Sequence, residues 1–402
     1  MTHPHSLVQM RRMAAQAAGL VGLLGALALG GCGGGSTSVS DSSGSSTNWA
    51  WALPSFFPTP KVPDTNPITE AKVDLGRFLF YDRRLSGNGT QACASCHIQS
   101  KAFTDGLATA IGSTGQHHPR NSQGLANVAY NATLTWANPS LVTLEKQMET
   151  PLFGTDPIEM GVNDGNKDAI LARLAGDATY KDKFAKAYPG QSAPITWGNA
   201  IHAIASFQRT ILSGNSPYDK YLQGKATLPP AAERGMNLFF GEKAECFHCH
   251  SSFNFNDQTV HAGSRIVETP FHNTGLYNIG GTGAFPEPNR GVYELTQLVK
   301  DMGKFRAPSL RNVEVTGPYM HDGSIATLEE VLDFYAAGGR NITSGPHAGD
   351  GRANPYKNDF INQINLTAQE RADIVAFLKS LTDQDLLTNP KLSDPFATAG
   401  AK

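Results

Sequence analysis

The pattern C-x-x-C-H occurs twice in this chain, at residues 93–97 and at residues 246–250. Two thiols at this spacing can each add to one vinyl group of a haem, and the adjacent histidine then lies beneath the ring as the proximal iron ligand. The pattern therefore predicts two covalently bound haems c. Their attachment and iron-binding residues are Cys93, Cys96 and His97 in the first motif and Cys246, Cys249 and His250 in the second.

Two other uses of paired cysteines compete with haem attachment. Four thiolates could hold a zinc ion as C-x-x-C…C-x-x-C, but this leaves the histidine after each pair unexplained. Each pair could also form a structural disulfide, although the short gap makes a strained loop for such a bridge. Only Cys32 lies outside the two motifs, and this complete use of the other cysteines favours haem.

The N-terminal segment, residues 1–31, has the features of an export signal. Arg11 and Arg12 precede an uncharged stretch that is rich in Ala, Leu and Gly, which is typical of a secretory signal peptide. The segment ends in Leu-Gly-Gly before Cys32 and is similar to a bacterial lipobox, so Cys32 is the predicted lipidation site. Plain cleavage near the same place and an uncleaved anchor are the alternatives.

The next segment has the composition of a linker. Residues 33–47 are almost wholly Gly, Ser and Thr, which form flexible chains without a core. We therefore interpret residues 32–58 as a tether. Beyond the export signal, no apolar run is long enough to span a bilayer. The predicted location is the periplasm, with membrane contact through the lipidated Cys32 only.

Composition limits the class of protein. The 402 residues include 33 Lys+Arg and 35 Asp+Glu, for a formal net charge of −2. This balance argues against nucleic-acid binding, which needs a basic face. With 40% hydrophobic and 17% charged residues the chain is globular, and it is long enough for two domains. The 41 Gly and 24 Pro predict long loops, which covalent haem would help to hold.

Helices are predicted around both motifs. Short helical segments at 71–80 and 231–240 precede the first and second motif, and residues 196–212 carry an apolar stripe of helical period. Capping-box patterns at Thr327 and Thr367 begin two more helices. The fold class is therefore mainly α with little sheet. Each half holds one haem: we assign residues 59–222 to an N-terminal domain, 223–390 to a C-terminal domain and 391–402 to a tail.

With these features in place, the sequence resembles the bacterial di-haem cytochrome c peroxidase superfamily, which includes MauG and MbnH. The resemblance covers nearly the whole exported chain. It implies two cytochrome c-like haem domains, the first peroxidatic and the second for electron transfer. Besides the haem motifs, it is carried by Arg120-Asn121, by Pro151 through Glu159-Met160, by Phe305-Arg-Ala-Pro-Ser-Leu-Arg-Asn312 and by Thr316-Gly-Pro-Tyr-Met-His321-Asp-Gly.

The resemblance also implies a calcium ion between the two domains. Asn121 and the carbonyl groups of Thr316 and Pro318 match the family's calcium ligands, and oxygen ligands suit this hard cation. The alternative is that Asn121 and Thr316 only cap turns.

At the second haem the resemblance implies an unusual distal ligand. Classical peroxidases have a methionine fourteen residues after the histidine that corresponds to His321, and Tyr335 occupies that position here, as in MauG-like members. A phenolate is a hard anionic donor that lowers the iron potential, where methionine would raise it. The alternatives are that Tyr335 is a core aromatic residue, or that Met302 or Met320 is a substitute ligand.

At the first haem the resemblance implies an open iron. Ser113 stands where classical peroxidases have a removable histidine ligand, so peroxide could bind without reductive activation. His117 and His118 lie near in sequence and could reach the iron. The interpretation that we favour is a solvated pair of loop residues.

Four further residues match functional positions of the superfamily. Glu159 corresponds to the distal glutamate that moves protons during peroxide cleavage, and Gln147 and Pro151 match other residues of that pocket. Trp136 matches a tryptophan between the two haems that relays electrons. The alternatives are a surface position for Glu159 and an ordinary core position for Trp136.

The resemblance implies a periplasmic di-haem c enzyme that uses hydrogen peroxide to form a high-valent two-haem state. It would oxidise an aromatic residue of a partner protein by long-range electron transfer. If MbnH is the nearer relative, that residue is a Trp of a copper-binding partner. One alternative is a cytochrome c peroxidase that reduces peroxide with electrons from a small cytochrome c or cupredoxin, which Tyr335 and Ser113 count against. The other is an electron carrier without catalysis, which Ser113 does not support.

Overall fold

Helices make up nearly all the regular structure in the computed structural model, which describes residues 49–397. Sheet in this range amounts to one antiparallel pair of strands, β1 (Asn341–Ile342) and β2 (Gly349–Asp350). The prediction of a mainly α fold is therefore confirmed. The helices are α1 (Glu70–Tyr81), α2 (Cys93–Cys96), α3 (Leu144–Phe153), α4 (Lys167–Gly176), α5 (Ala178–Ala187), α6 (Trp197–Arg209), α7 (Pro217–Leu222), α8 (Pro230–Phe239), α9 (Phe247–His250), α10 (Tyr293–Thr296), α11 (Leu328–Ala336), α12 (Ala368–Lys379) and α13 (Gln384–Thr388).

The two predicted capping boxes begin helices α11 and α12 as expected. The Thr327 hydroxyl accepts a hydrogen bond from the Glu330 backbone N–H at 3.2 Å, and the Glu330 carboxylate accepts one from the Thr327 N–H at 3.0 Å. Thr367 and Glu370 make the same reciprocal pair. Each box satisfies two backbone groups that the first turn of a helix leaves without partners.

Two helix crossings dominate the packing, α1 with α6 and α8 with α12. Each crossing contains a glycine that lies against the backbone of the other helix. A Cβ atom on Gly76 would lie 1.9 Å from the carbonyl oxygen of Ala203, and one on Gly235 would lie 1.8 Å from that of Asp373. The backbones touch because neither glycine has a side chain, so both halves bring the helix that precedes the haem motif directly onto a later helix.

Replacing Gly235 with alanine is expected to lower the free energy of unfolding by about 1–3 kcal/mol, the usual cost of overpacking. The new methyl group meets backbone, which cannot rotate away. Gly198→Ala is the matched control, because a Cβ atom there would have no atom within 4 Å and alanine favours the helix. Chemical denaturation of both haem-loaded variants measures the difference. Equal stability of the two variants would contradict the close crossing.

The buried apolar side chains form three clusters. The first contains Leu75, Phe207 and residues between them in sequence, the second lies around α8 and α12, and the third includes Trp136 and Phe305. Leu386 and Leu392 also belong to the first cluster. We placed the end of the C-terminal domain at residue 390, but the chain on both sides of this residue packs against the core of the N-terminal half.

The assigned tether, residues 32–58, extends too far. Phe57 is buried, and its ring lies 4.7 Å from that of Phe253 and 6.0 Å from that of Tyr130. The Gly/Ser composition ends before these aromatic residues, which can bury apolar surface. The predicted signal peptide, the lipidation site at Cys32 and the Gly/Ser-rich segment lie outside the described residues. Within those residues, every helix is too short or too polar to cross a membrane.

Candidate haem centres

Both motif histidines are oriented in the same way. The Nδ1 atom of His97 lies 2.7 Å from the carbonyl oxygen of Phe103, and Nδ1 of His250 lies 2.7 Å from that of Phe255. An Nδ1–H that donates to a carbonyl leaves Nε2 as the metal-binding atom, the usual arrangement of histidine ligands. Burial lowers the pKa of both imidazoles, which favours the neutral form that binds iron. The geometry fits a proximal ligand in each half.

A large cavity surrounds the second motif. Cys246, Cys249 and His250 line it, and so does Tyr335 from helix α11. The cavity is therefore built from segments far apart in the chain, as a haem pocket requires. Other lining residues are Trp136, Phe285, Phe305, Leu328, Val331, Leu332 and Phe360.

Hydrogen-bond donors without a partner in this cavity indicate whether a haem would fit there. Arg306 is buried, and among the described residues its Nε and Nη1 atoms have no hydrogen-bond partner, while Nη2 donates to Gln123. Burial lowers the pKa of Arg306 to about 10. An unpaired buried cation is costly, and the propionate groups of a porphyrin are the carboxylates that a guanidinium fork binds best. The chemistry of the cavity therefore fits haem.

Tyr335 lines the same cavity as His250, so it is available as a second ligand if a haem is bound there. Its phenol is in the cavity with His250, and burial raises its pKa. A bound ferric ion would offset this by stabilising the phenolate. Met320 also lines the cavity, and Met302 and Met320 both pack against the third hydrophobic cluster.

Trp136 connects the cavity wall to the predicted calcium residues. Its Nε1–H donates to the carbonyl oxygen of Asn121 at 2.8 Å, and the Asn121 N–H donates to that of His321 at 2.8 Å. Asn121, Thr316 and Pro318 all line the same cavity. The Asn121 Nδ2 atom donates to the Leu107 carbonyl at 2.8 Å, which leaves Oδ1 as the acceptor of the amide. The three predicted ligands are thus brought to one region of the molecule.

The residues predicted for the first haem's distal side also come together. The Ser113 N–H donates to the Glu159 carbonyl oxygen at 2.7 Å, and the Met160 N–H donates to that of Pro151 at 2.9 Å. Gln147 lies one turn before Pro151 on α3, so both occupy one face of that helix. The Glu159 side chain is 30% exposed, and the loss of solvation raises its pKa to about 7. A carboxyl group that titrates near neutral pH suits acid–base work.

His118 is not the solvated loop residue that we expected. Its Nε2 atom lies 3.5 Å from Oε1 of Glu159, while the neighbouring His117 is exposed. The sequence could not separate the two histidines, because only the packing of their loop decides which ring turns inward.

Two more residues of the second cavity were missed. His272 lines the cavity, and its Nε2 atom lies 2.5 Å from Oδ2 of Asp257. The Nδ1 atom of His272 lies 2.9 Å from the amide nitrogen of Asn358. Neither His272 nor Arg306 belongs to a local motif that marks a haem pocket, so a single sequence carries no signal for their role.

The geometry can be compared with known proteins. A family model described as di-haem cytochrome c peroxidase matches residues 70–227. The chain is 37% identical to cytochrome-c peroxidase IdrP1 of Denitromonas iodatirespirans over 363 residues, which cover 85% of this chain and 91% of that protein. It is 33% identical to the methylamine utilization protein MauG of Methylorubrum extorquens, and the match covers 92% of this chain and 94% of that protein.

A solved structure shows the same architecture. The crystal structure of a MauG-like protein associated with microbial copper homeostasis is 58% identical, with a TM-score of 0.86, and the match covers 87% of this chain and 100% of that one. The two C-x-x-C-H motifs and these relatives lead to the same family. The chain belongs to the di-haem cytochrome c peroxidase family of oxidoreductases that act with peroxide.

Proposed function

We propose that this enzyme uses hydrogen peroxide to oxidise an aromatic residue of a partner protein by long-range electron transfer, in the manner of MauG and MbnH. The observation that carries the proposal is the position of Tyr335 in the second cavity together with His250. A phenolate ligand suits iron that holds oxidising equivalents. The 58% identity to a MauG-like protein supports the same assignment.

When bound, the two haems supply the iron that reacts with peroxide and stores its two oxidising equivalents. The protein's own residues manage protons and access. Glu159 accepts a proton from peroxide and returns it to the departing oxygen. Ser113 provides no imidazole to close the first iron, so peroxide can approach without prior reduction. Gln147 and Pro151 shape the same pocket from α3.

Trp136 is the proposed relay between the haems. It is buried in the wall of the second cavity, and its hydrogen bond to Asn121 holds the indole in one orientation. Overall, hydrogen peroxide, two protons and two electrons give two water molecules, and the electrons come from the partner's aromatic side chain. A protein substrate cannot enter the buried pockets, so the electrons must travel through the protein.

The remaining parts of the proposal concern surroundings and partners. Asn121, Thr316 and Pro318 would hold a calcium ion between the two domains, residues 59–222 and 223–390. The N-terminal pattern supports a periplasmic lipoprotein anchored at Cys32. The MauG-like relative is associated with copper homeostasis, which supports a copper-binding partner. The resemblance to MbnH points to a Trp of that partner as the oxidised residue.

A second candidate is a cytochrome c peroxidase that reduces peroxide with electrons from a small cytochrome c or cupredoxin. The 37% identity to cytochrome-c peroxidase IdrP1 favours it. The two candidates differ in whether the fully ferric protein reacts with peroxide.

The test is to add stoichiometric hydrogen peroxide to the haem-loaded ferric protein without any reductant. We expect one high-spin and one low-spin ferric haem in the electron paramagnetic resonance spectrum, both losing intensity after peroxide, and a long-lived near-infrared band. A ferric form that does not react with peroxide until one electron has been added would overturn the MauG-like proposal in favour of the conventional peroxidase.

A further inference from the structure

His118 is held with one nitrogen toward Glu159 and the other toward backbone. Nε2 lies 3.5 Å from Glu159 Oε1. Nδ1 lies 3.1 Å from the backbone nitrogen of Arg120 and 3.2 Å from its carbonyl oxygen. Each protonation state of the ring therefore has a partner at Nδ1. With the proton on Nε2, Nδ1 accepts from the Arg120 N–H, and with the proton on Nδ1 it donates to the Arg120 carbonyl.

A side chain that carries protons must be able to exchange between two tautomers, as His118 can. A histidine whose Nδ1 had only a donor or only an acceptor beside it would be locked in one tautomer. Nε2 lies 3.5 Å from the Glu159 carboxylate, slightly beyond a normal hydrogen bond, so a small approach of the two side chains lets it donate to the carboxylate or accept from the neutral carboxyl group. Burial lowers the pKa of His118 while it raises that of Glu159 to about 7, so a proton that reaches the imidazole is passed on to the carboxyl group.

The surrounding contacts hold the pair at this separation. The loop that carries His118 lies directly on the segment that carries Glu159, because Gly112 leaves no room between itself and the Ile158 carbonyl oxygen. The side chain of Gln116 accepts from the Ile158 N–H at 2.9 Å. The His118 side chain is 29% exposed, so it reaches from Glu159 to solvent.

Other charged groups near the pair are already engaged. The Arg120 guanidinium lies 2.5 Å from Glu294 and 3.0 Å from Asn289, so the cation is bound away from Glu159. Cys93 and Cys96 are also near Glu159, but attachment to haem converts both thiols to uncharged thioethers. Within residues 49–397, Glu159 and Arg120 are the charged groups that face His118.

We propose that His118 is a proton relay between solvent and Glu159. The inference rests on the proposed peroxide chemistry, in which two protons are taken up with two electrons for each peroxide reduced to two waters. His118 acts through Glu159 and is a positioning residue, since it supplies and orients the proton on that carboxyl group.

The test compares His118→Ala, His118→Gln and the matched control His117→Gln in the haem-loaded protein. We expect both His118 variants to consume peroxide about tenfold more slowly above pH 7, where protons are scarce. This effect is smaller than the roughly 10²–10⁴-fold effect of a direct acid–base group. Added imidazole should restore His118→Ala, because it can fill the space and carry the proton. His117→Gln, on the same loop but exposed, should behave as the unchanged enzyme.

A readout independent of turnover is the carboxyl stretch of Glu159 in infrared difference spectra of the ferric protein, assigned by its loss in Glu159→Gln. We expect His118→Ala to raise the pH midpoint of this band, because the carboxylate loses the Nε2–H of the neutral imidazole as a nearby donor. Unchanged rate and midpoint in both His118 variants, with Glu159→Gln inactive, would overturn the relay alone. A fully active Glu159→Gln would overturn the proposed acid–base role of Glu159 together with the relay.

Discussion

Glu159→Gln is expected to slow the reaction with hydrogen peroxide by roughly 10²–10⁴-fold, the range for a positioned acid–base group. Glutamine has the same shape but can neither take a proton from peroxide nor return one. The rate of the unchanged enzyme should also fall as the pH drops below about 7, because burial raises the pKa of Glu159 to about 7 and the base must be ionised. Stopped-flow mixing of the ferric protein with peroxide measures both effects.

The same substitution should not harm stability. The folded-state pKa of Glu159 lies above the ordinary value of 4.5, so folding favours the neutral carboxyl group. The penalty for burying the carboxylate grows as the pH rises from about 4.5 to about 7 and is complete above that range. Glutamine carries no such penalty. We therefore expect Glu159→Gln to be at least as resistant to denaturant as the unchanged enzyme at pH 8.

Glu149→Gln is the matched control for this prediction. Glu149 lies on α3, is exposed and pairs with Lys146, so its loss should leave the peroxide rate unchanged. A comparable loss of rate in both variants would point to a general effect of charge and would contradict a specific role for Glu159.

Replacing Tyr335 is expected to change the spin state and the reduction potential of the second haem's iron. Tyr335→Phe removes the phenol oxygen, so the low-spin ferric signal assigned to the His250 haem should be lost. Tyr335→Met supplies a thioether, which should raise the potential by a sizeable part of the roughly 0.8 V range that axial ligands control. Both variants should lose the long-lived product of the peroxide reaction. Electron paramagnetic resonance spectra measure the loss of the low-spin signal, and a redox titration measures the change in potential.

Tyr319→Phe controls for the loss of an aromatic hydroxyl group in the same cavity. The Tyr319 hydroxyl donates to the Val313 carbonyl oxygen at 3.0 Å, so this variant should lose about 1 kcal/mol of stability and keep the iron spectrum. If Tyr335→Phe behaves like Tyr319→Phe, Tyr335 is a core residue and the second candidate function gains support.

Sequence patterns were most reliable where the deciding interactions are local. The boxes at Thr327 and Thr367 predicted helix starts because their partners lie three residues away. The stripe on residues 196–212 predicted α6 because helical period is read from neighbouring turns. The assigned tether failed at Phe57, whose burial depends on Tyr130 and Phe253, both remote in sequence.

The candidate site divides in the same way. Two C-x-x-C-H motifs were enough to predict the haem attachment points, because the chemistry of attachment needs only adjacent residues. The tertiary structure decided that His118 rather than His117 faces Glu159, and that Arg306 is buried in the second cavity with donors that no described residue satisfies. Those contacts join segments far apart in the chain. Burial and pairing across such distances depend on how loops pack against helices, and no local pattern specifies that packing.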